Sequence, residues 1–360
     1  MLSYGNYNAD LWVILPKVTS KVLETNNITA DGYFNELNKW LVGVDYYLVT
    51  KYNKNNPQSE EEQLNQLIIE LAKRKPPFIL ALEDSTITAL APQTRQEGVK
   101  KALVKWAGSL LSSSLFDWPH YIMGTYSPET VFAQYELKDI VVNLDIGKLK
   151  DEINYYKKNK RHQELPNRVL MPCLTVEEAL VCMEDSISFR ESQYLSVDIE
   201  TQRPKENSSN FNPGYVIPLT IGLATSTDMA FSFPLWEWDS METAKIFKIL
   251  ASKFQSCTII GQNFFNFDLF FLENLGFKFK EIIDIRIRHH ILWPELSHKL
   301  MFMTRQYTRE PYYKDDGKNY IPKNKAAKER LLRYNALDAA VTLEVFNAQE
   351  EEFKERPLLR

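Results

Sequence analysis

Leu195-Ser196-Val197-Asp198-Ile199-Glu200-Thr201 is an apolar run in which two alternate positions are carboxylates. Its aliphatic and β-branched residues predict a buried strand. Side chains at i and i+2 of a strand point to the same side, so Asp198 and Glu200 converge on one spot. Like charges that close repel each other unless a cation lies between them. Oxygen ligands of this kind suit hard divalent ions such as Mg²⁺. The stretch is a candidate half of a metal site, although a surface acid pair also accounts for D-x-E taken alone.

Two downstream stretches bear on that choice. Ile259-Ile260-Gly261-Gln262-Asn263 predicts a second apolar strand running into Phe264-Phe265-Asn266-Phe267-Asp268. Tyr334-Asn335-Ala336-Leu337-Asp338-Ala339-Ala340-Val341-Thr342 has helical periodicity, with Tyr334 and Asp338 four apart on one face. D-x-E, then N-x-x-x-F-D, then Y-x-x-x-D, in this order, resemble the 3′–5′ exonucleases of the DEDD superfamily. The tyrosine is similar to that of the tyrosine subclass, and the flanks resemble the proofreading domain of family A DNA polymerases.

That resemblance implies a two-metal site for Mg²⁺ or Mn²⁺. Asp198 would bridge both ions, Glu200 and Asp338 would complete the water-activating site, and Asp268 would hold the second ion. Tyr334 would orient the attacking water through its hydroxyl, being a poor base at neutral pH. Candidate substrate contacts are Thr201, Asn263 and Phe267. Asn263 either touches the terminal nucleotide or ties the motif strand in place. Aromatics interleaved with basic residues in Arg305-Gln306-Tyr307-Thr308-Arg309-Glu310-Pro311-Tyr312-Tyr313-Lys314, then Lys318, Tyr320 and Lys323, suit a single-strand groove. Arg305, Arg309 and Lys314 are its named contacts; a solvated loop offset by Asp315 and Asp316 is the other reading. His289, His290 and His298 have apolar, helical neighbours and are expected in packing or surface roles rather than as metal ligands.

The pattern around these motifs is hairpin, helix, strand, helix, helix. It fits a ribonuclease H-like fold, a mixed sheet flanked by helices, over residues 167–360. Val216 to Ala224 and Met229 to Phe233 form the hairpin, and Ile282 to Trp293 is expected as a helix. Residues 1–150 alternate strands (Leu11-Trp12-Val13-Ile14-Leu15, Tyr46 to Thr50, Phe78 to Leu82, Tyr121 to Gly124) with helical stretches, an α/β pattern. This half resembles the uracil-DNA glycosylase fold through Val49-Thr50-Lys51-Tyr52-Asn53, Ile79-Leu80-Ala81-Leu82 and Gly124-Thr125-Tyr126-Ser127-Pro128. Ser127 stands where that family has histidine, and Leu15-Pro16-Lys17-Val18-Thr19 lacks the water-activating carboxylate, so a non-catalytic role is expected. Residues 151–166, polar and basic, read as the linker.

Composition narrows the class further. Hydrophobic residues make up 44% and charged residues 25%, as in ordinary globular proteins. No apolar run is long enough to span a membrane, and the first residues show no leader pattern. Cys173, Cys182 and Cys257 have no C-x-x-C spacing, which points to free thiols in a cytoplasmic protein. A net charge of −4 argues against a DNA coat protein but not against an enzyme gripping one strand end. The expected partners are single-stranded DNA or a frayed 3′ end, and a DNA polymerase. In family A polymerases several hundred polymerase residues follow the third motif, whereas this sequence ends at Arg360. The expectation is therefore an exonuclease encoded apart from its polymerase, or a shortened polymerase. A ribonuclease D-type RNA exonuclease and a non-catalytic binding module are the alternatives.

Overall fold

The computed structural model describes residues 3–17, 33–53, 56–95, 101–185, 187–202, 216–315, 322 and 324–356. Val18, Thr19, Asp316, Lys318, Tyr320 and Lys323 lie outside the described residues. The chain divides into two units: Met1–Leu165 with Arg309–Tyr312, and Pro166–Thr308 with Tyr313–Arg360. No helix among the described residues is long and apolar enough to cross a membrane.

The first unit holds β1 (Ser3–Gly5), β2 (Leu11–Lys17), β3 (Tyr46–Tyr52), β4 (Phe78–Leu82), β5 (Leu110–Leu111) and β6 (Tyr121–Thr125). They form one sheet in the order β1-β3-β2-β4-β6-β5. The four inner strands are parallel and the two edges antiparallel. Parallel strands covered on both faces read as continuous apolar runs, and β2 shows why. Leu11, Val13 and Leu15 enter one core with Phe78, Leu80 and Leu82, while Trp12 and Ile14 enter another with Ile79 and Ala81. The residues read as a linker differ. Helix Gly147–Asn159 takes in 151–159, with Leu149 and Ile153 buried, and His162 packs edge-on against Phe78 and Tyr121. Its polar face dominates the sequence and hides this buried face.

The second unit holds β7 (Val169–Pro172), β8 (Tyr194–Gln202), β9 (Ile217–Ala224), β10 (Met229–Pro234), β11 (Thr258–Gly261) and β12 (Glu281–Asp284). Their order is β12-β11-β8-β9-β10-β7, with β8, β11 and β12 parallel and β9 antiparallel to both neighbours. This is a mixed α/β unit of the kind expected for a ribonuclease H-like fold. Residues 282–284, expected as helix, belong to strand β12, because Ile282 and Ile283 pair with Ile259 and Ile260. The helix follows at Ile285–Leu292, capped by Asp284.

Strand β8 serves both faces of this sheet. Leu195, Val197 and Ile199 enter a core with Ile221, Leu223, Phe254 and Phe264. The opposite face is covered by the long helix Lys325–Glu355, whose Ala336, Ala339 and Ala340 are fully buried against Ala224 and Ile260. Small side chains let that helix lie close to the sheet. Asp198 and Glu200 therefore point toward it.

Candidate active site

Asp198 pairs across the ladder with Gly222, and Glu200 with Thr220; the register shifts between Glu200 and Thr201. Such an irregularity ends regular pairing and re-aims the side chains beside it. Asp338 comes to the same place from the long helix. Ligand oxygens of Asp198, Glu200 and Asp338 all lie within 4.8 Å of one another. Asp338 is 3% exposed, and its Oδ1 is buried without a hydrogen-bond partner. An acceptor left so costs free energy unless a cation meets it. The donor set fits a hard divalent ion.

Asp268 stands at the first turn of helix Asp268–Asn274 and is 3% exposed. Its Oδ1 accepts the Ile199 backbone N–H at 2.9 Å, the amide between the two β8 acids. The structure thus brings Asp268 beside the trio but not into it. Asn263 sits in left-handed conformation at the end of β11. Its N–H donates to Asp284 Oδ1 at 2.9 Å, and its Oδ1 accepts from Asn266 at 3.2 Å and from Arg286. Those bonds tie the motif loop to the Asp284 cap. Phe264 is buried, Phe265 is exposed, and Phe267 packs along the core under β8.

Asn335 was not among the residues picked out by sequence reasoning. It is fully buried, donating through Nδ2 to Asp198 Oδ2 at 2.7 Å and to the Asp198 carbonyl at 3.1 Å. Its Oδ1 accepts from Thr220 Oγ1 and Ser232 Oγ, both at 2.9 Å. The available signal was a polar residue on the buried helical face of Leu331, Leu332, Ala336 and Ala339.

Lys314 is the site's cation. Its Nζ pairs with Asp338 Oδ2 and donates to the Tyr334 hydroxyl at 3.2 Å. Burial, then the neighbouring Asp338 charge, push Asp198 up to about 8, with Lys314 and Asn335 pulling the other way. Burial first and neighbouring carboxylates second also raise Glu200 and Asp268 well above the usual carboxylate range. Tyr334 is held above its ordinary value by burial and by Asp338, Glu200 and Asp198, so its phenol stays protonated.

The remaining candidates spread out. Thr201 follows the ladder shift on β8, and Arg305 lies on helix Leu300–Tyr307. Arg309 is the correction. It belongs with the first unit, where its guanidinium donates to both Glu152 oxygens at 2.7 and 2.9 Å and to the Gln163 and Glu164 carbonyls. A guanidinium so occupied holds structure rather than meeting a strand.

Residues 181–354 match the family model described as 3'-5' exonuclease, a stretch that contains all four acids and Tyr334. Among solved structures, the catalytic core of RRP6 from Trypanosoma brucei (mutant C496S) is similar at 12% identity and TM-score 0.40, over 53% of this chain and 49% of that one. The EXO domain of Nibbler from Aedes aegypti is similar at 14% identity and TM-score 0.41, over 55% and 96%. RNase D of Trypanosoma brucei, solved with RNA U12, is similar at 13% identity and TM-score 0.39, over 52% and 63%. This chain spans about half the length of the RRP6 chain it matches. No curated protein matches it.

Proposed function

We propose that this protein removes nucleotides from DNA 3′ ends by metal-dependent phosphodiester hydrolysis, as a tyrosine-type DEDD exonuclease serving a family A DNA polymerase. The observation that carries the reading is the convergence of Asp198, Glu200 and Asp338 oxygens within 4.8 Å around a buried, unpaired Asp338 Oδ1.

Asp198, Glu200 and Asp338 would hold divalent metal, with Asp268 completing a two-ion set. When bound, such ions neutralise charge on the phosphate and make water acidic enough to attack it. Asn335 keeps the Asp198 carboxylate in one orientation. Asp268, fixed to the Ile199 N–H, would help to hold the second ion. Tyr334, protonated, donates a hydrogen bond from its hydroxyl and so orients water or a phosphate oxygen rather than taking a proton. Lys314 pairs with Asp338 and donates to the Tyr334 hydroxyl, and its ammonium is the proposed contact to phosphate at this site. Thr201, Phe267 and Arg305 are the proposed contacts to the strand. The first unit is read as a glycosylase-like domain without excision activity, since Ser127 spends its hydroxyl capping the helix Pro128–Ala133.

The test is digestion of 5′-labelled single-stranded DNA, and of RNA of the same sequence, in Mg²⁺ or EDTA. A ladder shortened from the 3′ end of DNA in Mg²⁺, absent in EDTA and in Asp198→Asn, is expected. Shortening of RNA alone would assign the ribonuclease D type of substrate. Binding without shortening of either would leave a non-catalytic module.

A further inference from the structure

Away from the acids, three histidines of the second unit form a chain. His289 and His290 lie on helix Ile285–Leu292, and His298 in the turn before helix Leu300–Tyr307. His289, 0% exposed, places Nε2 2.9 Å from Gln306 Oε1 and Nδ1 2.7 Å from His298 Nδ1. His298 Nε2 in turn faces His290 Nδ1 at 3.0 Å.

With the Gln306 amide oxygen facing His289, donor counting assigns the tautomers. An amide oxygen only accepts, so His289 carries its hydrogen on Nε2 and presents a bare Nδ1. His298 must then donate from Nδ1, which leaves its Nε2 bare and aimed at His290. Desolvation lowers the pKa of both His289 and His298, so each is neutral at pH 7. His290 is exposed and donates its Nδ1 hydrogen to that lone pair.

We infer that His290 Nδ1 and His298 Nε2 form a binding site for an imidazole-preferring divalent transition ion of the Zn²⁺ class. Their 3.0 Å separation is what two metal–nitrogen bonds of about 2.0–2.1 Å span at an angle near 90–100°. A ligating histidine is held by a hydrogen bond at its other nitrogen, and the His289–Gln306 pair holds His298 in that way. The ion replaces one shared hydrogen. His290 gives up its Nδ1 hydrogen to solvent and takes one from solvent on Nε2, so the exchange releases no net proton. Water fills the other positions. Two imidazoles and no carboxylate suit Zn²⁺, Ni²⁺ or Cu²⁺ and not Mg²⁺, which sets this pair apart from the acidic cluster. An ion here would staple the end of one helix to the turn whose His298 carbonyl accepts from Gln262 at 3.3 Å, next to Asn263.

The full chain settles the matter by calorimetric titration with Zn²⁺ in saturating Mg²⁺, using Asp198→Asn so that the acidic site takes no part. One Zn²⁺ equivalent is expected in Asp198→Asn, with affinity reduced tenfold or more when His290→Gln or His298→Gln is added. Zn²⁺ should raise the melting temperature of Asp198→Asn and not of the His290→Gln double variant. His290 is exposed, so that variant folds. Absence of Zn²⁺ binding in Asp198→Asn, or binding indifferent to His290→Gln, overturns the site.

Discussion

The Asn335 amide holds Asp198 at two points, the carboxylate at 2.7 Å and the backbone carbonyl at 3.1 Å, and its own oxygen takes the Thr220 and Ser232 hydroxyls. One buried side chain therefore joins the long helix to three neighbouring strands at the point where the acids meet. Asn335→Leu strands two hydroxyls and frees Asp198. A buried polar group left unsatisfied costs about 1–3 kcal/mol. The variant should lose stability of that order in urea denaturation and bind Mn²⁺ more weakly by electron paramagnetic resonance. Wild-type Mn²⁺ affinity in a folded Asn335→Leu protein would remove the positioning role.

Clustered acids make the metal-free protein sensitive to pH in a defined direction. Asp198 sits at about 8 when folded, above its ordinary 3.8. Between those values the folded chain binds a proton that the unfolded chain has released, so stability falls as pH rises through that window. His289 and His298, lowered by burial, act oppositely below their ordinary 6.5. Asp198→Asn isolates the acid's share. In EDTA, wild type should lose more melting temperature between pH 5 and 8 than Asp198→Asn does, and Mg²⁺ should restore wild type most at pH 8. Identical pH profiles for the two proteins would contradict this electrostatic picture.

Local periodicity made the acids legible: Asp198 and Glu200 share a strand face, and Tyr334 and Asp338 share a helix face. What escaped depends on long-range partners. Asn335 matters because Thr220 and Ser232 meet it from β9 and β10, and Arg309 was misjudged because its partner Glu152 lies 157 positions away. Strand β12 was misread since a short apolar run such as Ile282-Ile283 has no period of its own.

Gly222 is required by closeness rather than by backbone conformation. A Cβ there would lie 2.4 Å from the Asn335 carbonyl oxygen. That neighbour is backbone of the long helix and cannot rotate aside. Gly222→Ala should push the helix off β9, cost about 1–3 kcal/mol as overpacking does, and reduce nuclease activity by moving Asp338 from Asp198. Unchanged stability with unchanged activity would show that the helix yields more freely than its packing implies.

Glu83, at the end of β4, has φ 71° and ψ 157°, a region that only glycine occupies without strain. Its Oε1 accepts the Ser127 N–H at 2.8 Å and the Thr130 hydroxyl at 2.7 Å, which hold it there. Glu83→Ala and Glu83→Gly both lose these bonds, so comparing the two variants isolates the backbone. Strain of this kind costs of order 1–3 kcal/mol, while glycine's freedom in the unfolded chain returns about 0.4–1 kcal/mol. Glycine should therefore be the more stable of the pair by roughly 1 kcal/mol. Hydrogen exchange of the β4 and β6 amides in the full chain measures it. Faster exchange in Glu83→Gly than in Glu83→Ala would mean that the strand end relaxes when the carboxylate is gone.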